Sequence, residues 1–255
     1  MKPRIGIFGL SGCWGEQIVV LNCEDQLLAL VEAVEFADFL GGSSVNDTKG
    51  PLTIAFVEGS VGSAREEVAL RRIRDRAQWL VACGSCACFG GVAAAFDDPA
   101  RQREMAASIY GATVASYDLR PHRPLRDYVR VEVNIPGCPM EKEEFLRVVA
   151  CLLNGDKPEP VTTPVCAECR MREQECLLLT AHLPCAGPVT AGGCGARCPG
   201  YNVACIGCRG PVEEANVASM ETILGAAGFT IDEIRRRLHL FAVPPRASRQ
   251  EESRK

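Results

Sequence analysis

Eight cysteines carry the spacing C-x2-C-x6-C-x8-C-x8-C-x3-C-x6-C-x2-C, through Cys166, Cys169, Cys176, Cys185, Cys194, Cys198, Cys205 and Cys208. Eight thiolates complete two four-cysteine sites, and both [4Fe-4S] clusters and structural zinc accept that ligand set. The zinc reading is the weaker, because the 35 residues between Cys169 and Cys205 exceed the usual ribbon interval. Cys198-Pro199 also matches the Cys-Pro step of bacterial ferredoxins. Two iron-sulfur clusters are therefore expected here, with two zinc ions as the competing assignment. The spacing leaves open whether the ligands divide in sequence or interleave.

Three other cysteines gain meaning from the elements that precede them. Short apolar runs at 5–10, 53–57, 79–82 and 129–135 read as strands, separated by stretches of helical periodicity. That alternation predicts an α/β domain with a parallel sheet over residues 1–160. Cys13 follows the first run, Cys86 the third and Cys138 the fourth, so all three fall at the carboxyl ends of strands, the edge where ligands collect. Three loops deliver one thiolate each, and a third cluster is expected there. Cys23 and Cys151 read instead as small buried hydrophobes.

Helices are expected at 24–40, with Leu27, Val31 and Val34 on one stripe, and from a Ser63/Glu66 capping box to about residue 77. Another is expected at 141–153, carrying Phe145, Val149 and Leu152 and closed by Asn154-Gly155. Residues 96–128 carry no clear pattern. After Lys157-Pro158-Glu159-Pro160 the composition changes, and seven glycines with four prolines at 162–210 leave too few aliphatics for an ordinary core. Order in this small domain, 161–212, is expected to depend on bound metal. Helices at 212–227 and after a Thr230/Glu233 capping box, with Ile231, Ile234, Leu238 and Phe241 at helical spacing, make up 213–241; residues 242–255 read as a disordered tail.

Composition narrows the functional classes. The 32 acidic and 28 basic residues give a net charge of −4, which disfavours a polybasic nucleic-acid surface. Fifteen cysteines, an odd number, sit badly with a disulfide framework. The apolar run at 5–10 is too short for a signal-peptide core, and the uncharged stretch at 77–96 is broken by three glycines and three cysteines, so it reads as buried sheet and loop. A reducing cytoplasm is the expected compartment. The glycines at 6, 9, 12 and 15 do not spell G-x-G-x-x-G, and His122, His182 and His239 are too scattered for a histidine-based centre.

Several motifs in order carry a family resemblance. Gly12-Cys13-Trp14-Gly15, Val57-Glu58-Gly59, Gly84-Ser85-Cys86-Ala87-Cys88-Phe89-Gly90-Gly91 and Ile135-Pro136-Gly137-Cys138-Pro139 resemble the small subunit of [NiFe] hydrogenases. Cys185-Ala186-Gly187-Pro188-Val189-Thr190, Gly192-Gly193-Cys194-Gly195-Ala196 and Cys205-Ile206-Gly207-Cys208-Arg209-Gly210-Pro211 resemble its cytoplasmic group 3 members, which include F420-reducing, viologen-reducing and sulfhydrogenase types. The resemblance covers roughly residues 1–215. It implies a flavodoxin-like domain holding a proximal [4Fe-4S] cluster and a ferredoxin-like domain holding medial and distal clusters, three in all. It further implies a large-subunit partner carrying nickel-iron, which oxidises H2 or reduces protons, and a flavoprotein or ferredoxin-type second partner. The chain itself would carry electrons and make no bonds.

One departure stands out. The family's first motif is C-x-x-C, and the second cysteine position holds Glu16. A carboxylate is a harder iron donor than thiolate and is expected to alter the reduction potential. Glu16 is the expected fourth proximal ligand; Cys83, Cys88, Glu58 and a solvent-open iron are the competitors, and a role as an acidic helix start is the bland alternative. Two other functions compete: a relay subunit of a non-hydrogenase oxidoreductase similar to the terminal-cluster subunit of respiratory complex I, and a zinc-stabilised interaction protein.

Overall fold

The computed structural model describes residues 2–95, 98–111, 118 and 120–242. The chain divides into two compact units, Met1–Pro160 and Val161–Lys255.

The first unit is built on strands β1 (Arg4–Gly9), β2 (Glu35–Phe39), β3 (Leu52–Glu58), β4 (Ala77–Cys83) and β5 (Val133–Ile135). All four pairings are parallel, in the order β2-β1-β3-β4-β5. This is the flavodoxin-like order, whose topological switch point lies between β1 and β3. The two-residue period of the strands distributes apolar side chains to both faces. Ile5, Ile7, Ile54, Phe56, Val81 and Cys83 pack on one side with Val20 of α1 (Gly15–Leu21) and with Phe145, Val148, Val149 and Leu152 of α7 (Lys142–Leu153). Ala55, Val57, Leu80 and Ala82 pack on the other with Leu70 and Ile73 of α3 (Ala64–Arg76) and Ala87 and Cys88 of α4 (Gly84–Phe89). Helices on both faces explain why these strands are continuously apolar.

The expected helix at 24–40 is corrected. It ends early, as α2 (Asp25–Ala33), and the chain turns extended at Val34 before pairing as β2 along β1. The helical stripe of Leu27, Val31 and Val34 obscured the phenylalanines at 36 and 39, which the pleat favours. Helix α1 matches the acidic helix start that was the bland alternative for Glu16. The strand expected at 129–135 shortens to β5: Tyr128 donates its N–H to Leu125 O at 3.0 Å, closing a 3-10 turn at Leu125–Asp127, Val129 donates to the same oxygen at 3.1 Å, and Glu132 Oε2 takes the Leu80 N–H at 2.8 Å. Ser63 caps α3 by accepting from Glu66 N, but Glu66 Oε2 accepts from Gly62 N at 2.9 Å, so the return bond of the box is displaced by one residue. Within the patternless stretch α6 (Pro99–Tyr110) is helical, and the stretch 77–96, expected as sheet and loop, is helical after β4, in α4 and α5 (Gly91–Ala95). Cys23 is fully buried, whereas Cys151 is only half-buried on α7.

The second unit is made of short helices: α8 (Val165–Met171), α9 (Leu177–Thr180), α10 (Arg197–Gly200), α11 (Val217–Ala226) and α12 (Ile231–His239). One buried cluster is Val165, Ala186, Ala196 and Cys205, packed with Cys169, Cys185, Cys194 and Leu238; another is Val189, Met220, Leu224 and Ile234. Thiols thus replace part of the missing aliphatic core. The helix expected from 212 starts later because Val212 donates its N–H to Val189 O, and Asn216 supplies the cap to Ser219 N. Thr230 and Glu233 form the full capping box of α12; Ile234 and Phe241 are buried on its stripe, but Ile231 is exposed. The expected tail lies outside the described residues from position 243 onward. Among the described residues no helix is long and apolar enough to cross a membrane.

Candidate functional site

The carboxyl edge of the sheet gathers the first set of candidate ligands. Cys13 follows β1 and stands before α1, whose N-cap residue Trp14 takes a left-handed conformation (φ 68°). Glu58, the last residue of β3, fixes the start of that helix: it accepts from Glu16 N at 3.1 Å and from Gln17 Nε2 at 2.9 Å. Cys86 sits in α4 directly after β4, and Cys138 lies in the loop after β5. Ser85 joins these two segments, since its N–H and its hydroxyl both donate to Gly137 O, at 2.7 and 2.8 Å. A Cβ on Gly15 would stand 3.3 Å from Cys13 Sγ and 3.7 Å from Pro139 Cβ, which places the β1 and β5 loops together. Gly91, at φ +64°, leaves no room for a Cβ beside Cys86, and a Cβ on Gly84 would overlap the Glu16 carboxylate.

The electrostatics tie these groups to one another. Burial pushes the Cys86 thiol up to about 12, with Glu16, Cys138, Cys13 and Glu58 adding to the shift. Cys138 is raised by burial and then by Glu16 and Cys13. Glu16 itself, 8% exposed, is raised to about 8 by burial and by the neighbouring Glu58. Glu16 is the strongest charged neighbour of both Cys86 and Cys138. Cys83 is different: burial raises it well above the usual thiol range, and its neighbours are Cys88, Glu16 and Glu58. Cys88 is buried with its Sγ 3.4 Å from Ala82 O.

A crowd of potential anions without a countering cation among these causes is the donor set that a cationic iron-sulfur core would accept, because metal binding deprotonates thiols outright. A [4Fe-4S] core takes each ligand on a separate iron, so its ligands must face one another without converging on a point. Among the described residues no three His, Cys, Asp or Glu side chains converge tightly enough to hold a single ion. Cys13, Glu16, Cys86 and Cys138 fit such a core.

In the second unit the thiols also face one another. Burial pushes Cys166 up to about 11, with Cys185, Cys169 and Cys176 contributing in that order. Cys169 is raised by burial and by Cys185 and Cys176. Cys198 is raised by burial and by Cys194, while Cys205 is pushed to about 12 by burial with Cys185 and Cys208 adding. A Cβ on Gly187 would stand 3.3 Å from Cys166 Sγ and 3.4 Å from Cys185 Sγ, which places these two thiols on one side of the glycine. Three supporting residues were not read from the sequence: Gln17, Ser85 and Glu168. The last bonds the loop of Cys194, and its signal was an acidic residue inside a C-x-E-C step.

Comparison with known proteins agrees with this architecture. The sequence profile of the family described as NADH ubiquinone oxidoreductase, 20 Kd subunit, matches residues 13–152. Sulfhydrogenase 2 subunit delta of Pyrococcus furiosus is 38% identical over 239 residues, 94% of this chain and 99% of the relative. NAD-reducing hydrogenase HoxS subunit delta of Cupriavidus necator is 30% identical over 171 residues, 60% of this chain and 80% of the relative. A chain from the crystal structure of an NAD+-reducing [NiFe]-hydrogenase in the H2-reduced state superposes with a TM-score of 0.53 at 29% identity, over 62% of this chain and 95% of that one. The chain therefore belongs to the NADH ubiquinone oxidoreductase 20 Kd subunit family, on the branch formed by the small subunits of [NiFe] hydrogenases.

Proposed function

We propose that the chain is the electron-transfer small subunit of a [NiFe] hydrogenase, relaying electrons between a large subunit's nickel-iron site and a flavoprotein or ferredoxin-type partner. Three [4Fe-4S] clusters, when bound, supply its one-electron carriers. Cys13, Cys86, Cys138 and Glu16 hold the first. Glu16 is preferred to Cys83 and Cys88 because it faces both Cys86 and Cys138. Cys166, Cys169, Cys176 and Cys185 hold the second, since Cys185 and Cys176 are thiol neighbours of both Cys166 and Cys169, and Cys194, Cys198, Cys205 and Cys208 remain for the third. Cys185 also neighbours Cys198 and Cys205, which is the contact an interleaved division would use.

The residues around the ligands orient them and keep water out. Ser85 and Glu58 anchor the helix starts that carry Cys86 and Glu16, and the burial of Cys86 and Cys205 gives the first and third clusters a low-dielectric side. Fifteen free thiols suit a reducing compartment, which supports the cytoplasm as the place of work.

The observation that carries this reading is the meeting of Cys13, Cys86, Cys138 and Glu16 from three strand ends at the sheet edge of a family member. Its test is the large chain that co-purifies. Two C-x-x-C motifs near that chain's ends and hydrogen-dependent dye reduction are expected. A bound large chain lacking those motifs, with intact clusters and no dye reduction, would replace the hydrogenase with another oxidoreductase of the complex I kind. For the fourth ligand, Glu16→Ala is expected to change the proximal electron paramagnetic resonance signal, and an unchanged signal would reject iron ligation.

A further inference from the structure

We infer that Glu168 sets the reduction potential of the cluster that takes Cys194; this rests on the iron-sulfur reading above. Glu168 lies on α8 between Cys166 and Cys169 but spends both carboxylate oxygens on a different segment. Oε1 accepts from Gly193 N at 2.6 Å and Oε2 from Ala196 N at 3.0 Å, so one amide before Cys194 and one two residues after it are bound to the same carboxylate. The same Oε2 stands 4.0 Å from Cys194 Sγ.

The loop is shaped around this contact. Gly193 has φ +105° and Ala196 φ +49°, left-handed conformations that an alanine adopts only when held. A Cβ on Gly192 would lie 3.2 Å from Glu168 Cδ and 3.0 Å from Thr163 O, so the carboxylate packs directly on the backbone. On the other flank the buried Arg209 donates from Nε to Gly192 O.

Two effects of Glu168 point the same way. N–H groups that donate to cluster sulfur favour the reduced state and raise the potential, and the Gly193 and Ala196 amides are withheld from that role. A negative charge beside a ligand sulfur disfavours the arrival of another electron, least screened where the site is partly buried. Arg209, whose guanidinium packs on Gly193, opposes part of the charge, while Glu168 is the group beside the thiol. Glu168 is thus a positioning residue that keeps its cluster at a low potential.

The test is an anaerobic redox titration of the purified complex, followed by electron paramagnetic resonance, for the wild type, Glu168→Gln and Glu168→Asp, with iron per chain as the loading control. Glu168→Gln removes the charge and turns one amide's acceptor into a donor; one cluster's potential is expected to rise while the others keep theirs. Glu168→Asp keeps the charge but retracts from the amides, and its rise is expected to be smaller. A fully loaded Gln variant with every potential unchanged overturns the inference. Should Gln fail to load, Asp decides: a raised potential supports the role, and an unchanged one overturns it. Loss of iron from both variants also overturns it, leaving a structural clamp. Failure of the iron-sulfur reading would show separately, as a wild type without iron or cluster signal.

Discussion

Removing the Glu58 carboxylate is expected to loosen the strand edge on which the first ligand set is assembled. Glu58 is 2% exposed and accepts from Glu16 N and from the Gln17 side chain. In Glu58→Ala both donors lose their partner, and each buried donor left unsatisfied costs about 1–3 kcal/mol, so the loss is about 2–6 kcal/mol. The substitution also removes the hydrogen bond between the Glu16 and Glu58 carboxyls, the second cause of the upward shift of Glu16 after burial, and with it the like-charge contact that is the third. The expected loss stays at about 2–6 kcal/mol, a large share of the 5–15 kcal/mol that typically separates folded from unfolded domains. Glu58→Gln keeps one oxygen for Gln17 and loses only the Glu16 amide, so about half that loss is expected. Urea unfolding of the purified chain, followed through the fluorescence of its two tryptophans, Trp14 at the start of α1 and Trp79 on β4, reads the difference at constant m value. An alanine variant within about 0.5 kcal/mol of the wild type, the range of an ordinary surface change, would refute the argument.

Three further outcomes follow from particular contacts. Thr230→Ala removes the capping box of α12 and is expected to cost about 0.5–2 kcal/mol, seen as a lower unfolding midpoint. Asp47 is held well below the usual carboxylate range, first by the amides of Lys49 and Gly50 and then by Arg4. A depressed folded value means that its share of stability is present above the unfolded value of about 4 and is lost as the pH falls below it. The stability gap between wild type and Asp47→Asn should therefore hold steady at neutral pH and close in acid, checked by urea titrations at several pH values. Removal of iron by chelation is expected to expose the second unit to protease while the sheet of the first stays protected, because candidate ligands make up much of the second unit's core, whereas the first is packed mainly by aliphatic and aromatic side chains. Equal digestion of both units would contradict this.

The parallel sheet was legible because β3 and β4 are buried on both faces and read as continuous apolar runs between turn signals. Strand β2 was not, since Glu35 and Asp38 interrupt it and the preceding helix shares its apolar spacing; only tertiary pairing with β1 reveals it. Candidate ligands were readable one by one, as thiols at strand ends. Their mutual placement was not, because it depends on bonds such as Ser85 to Gly137 and Glu58 to Gln17 that span 52 and 41 residues of sequence. Glu168 escaped notice for the same reason: its role is a contact with a loop 25 residues away.

Metal and sulfide analysis of the anaerobically purified complex, combined with Mössbauer spectroscopy, bears most directly on the claim that this chain is a relay of iron-sulfur clusters. About twelve irons and as many sulfides in the chain, all in four-iron environments, are expected from three clusters. A colourless preparation with stoichiometric zinc and no sulfide would contradict the account.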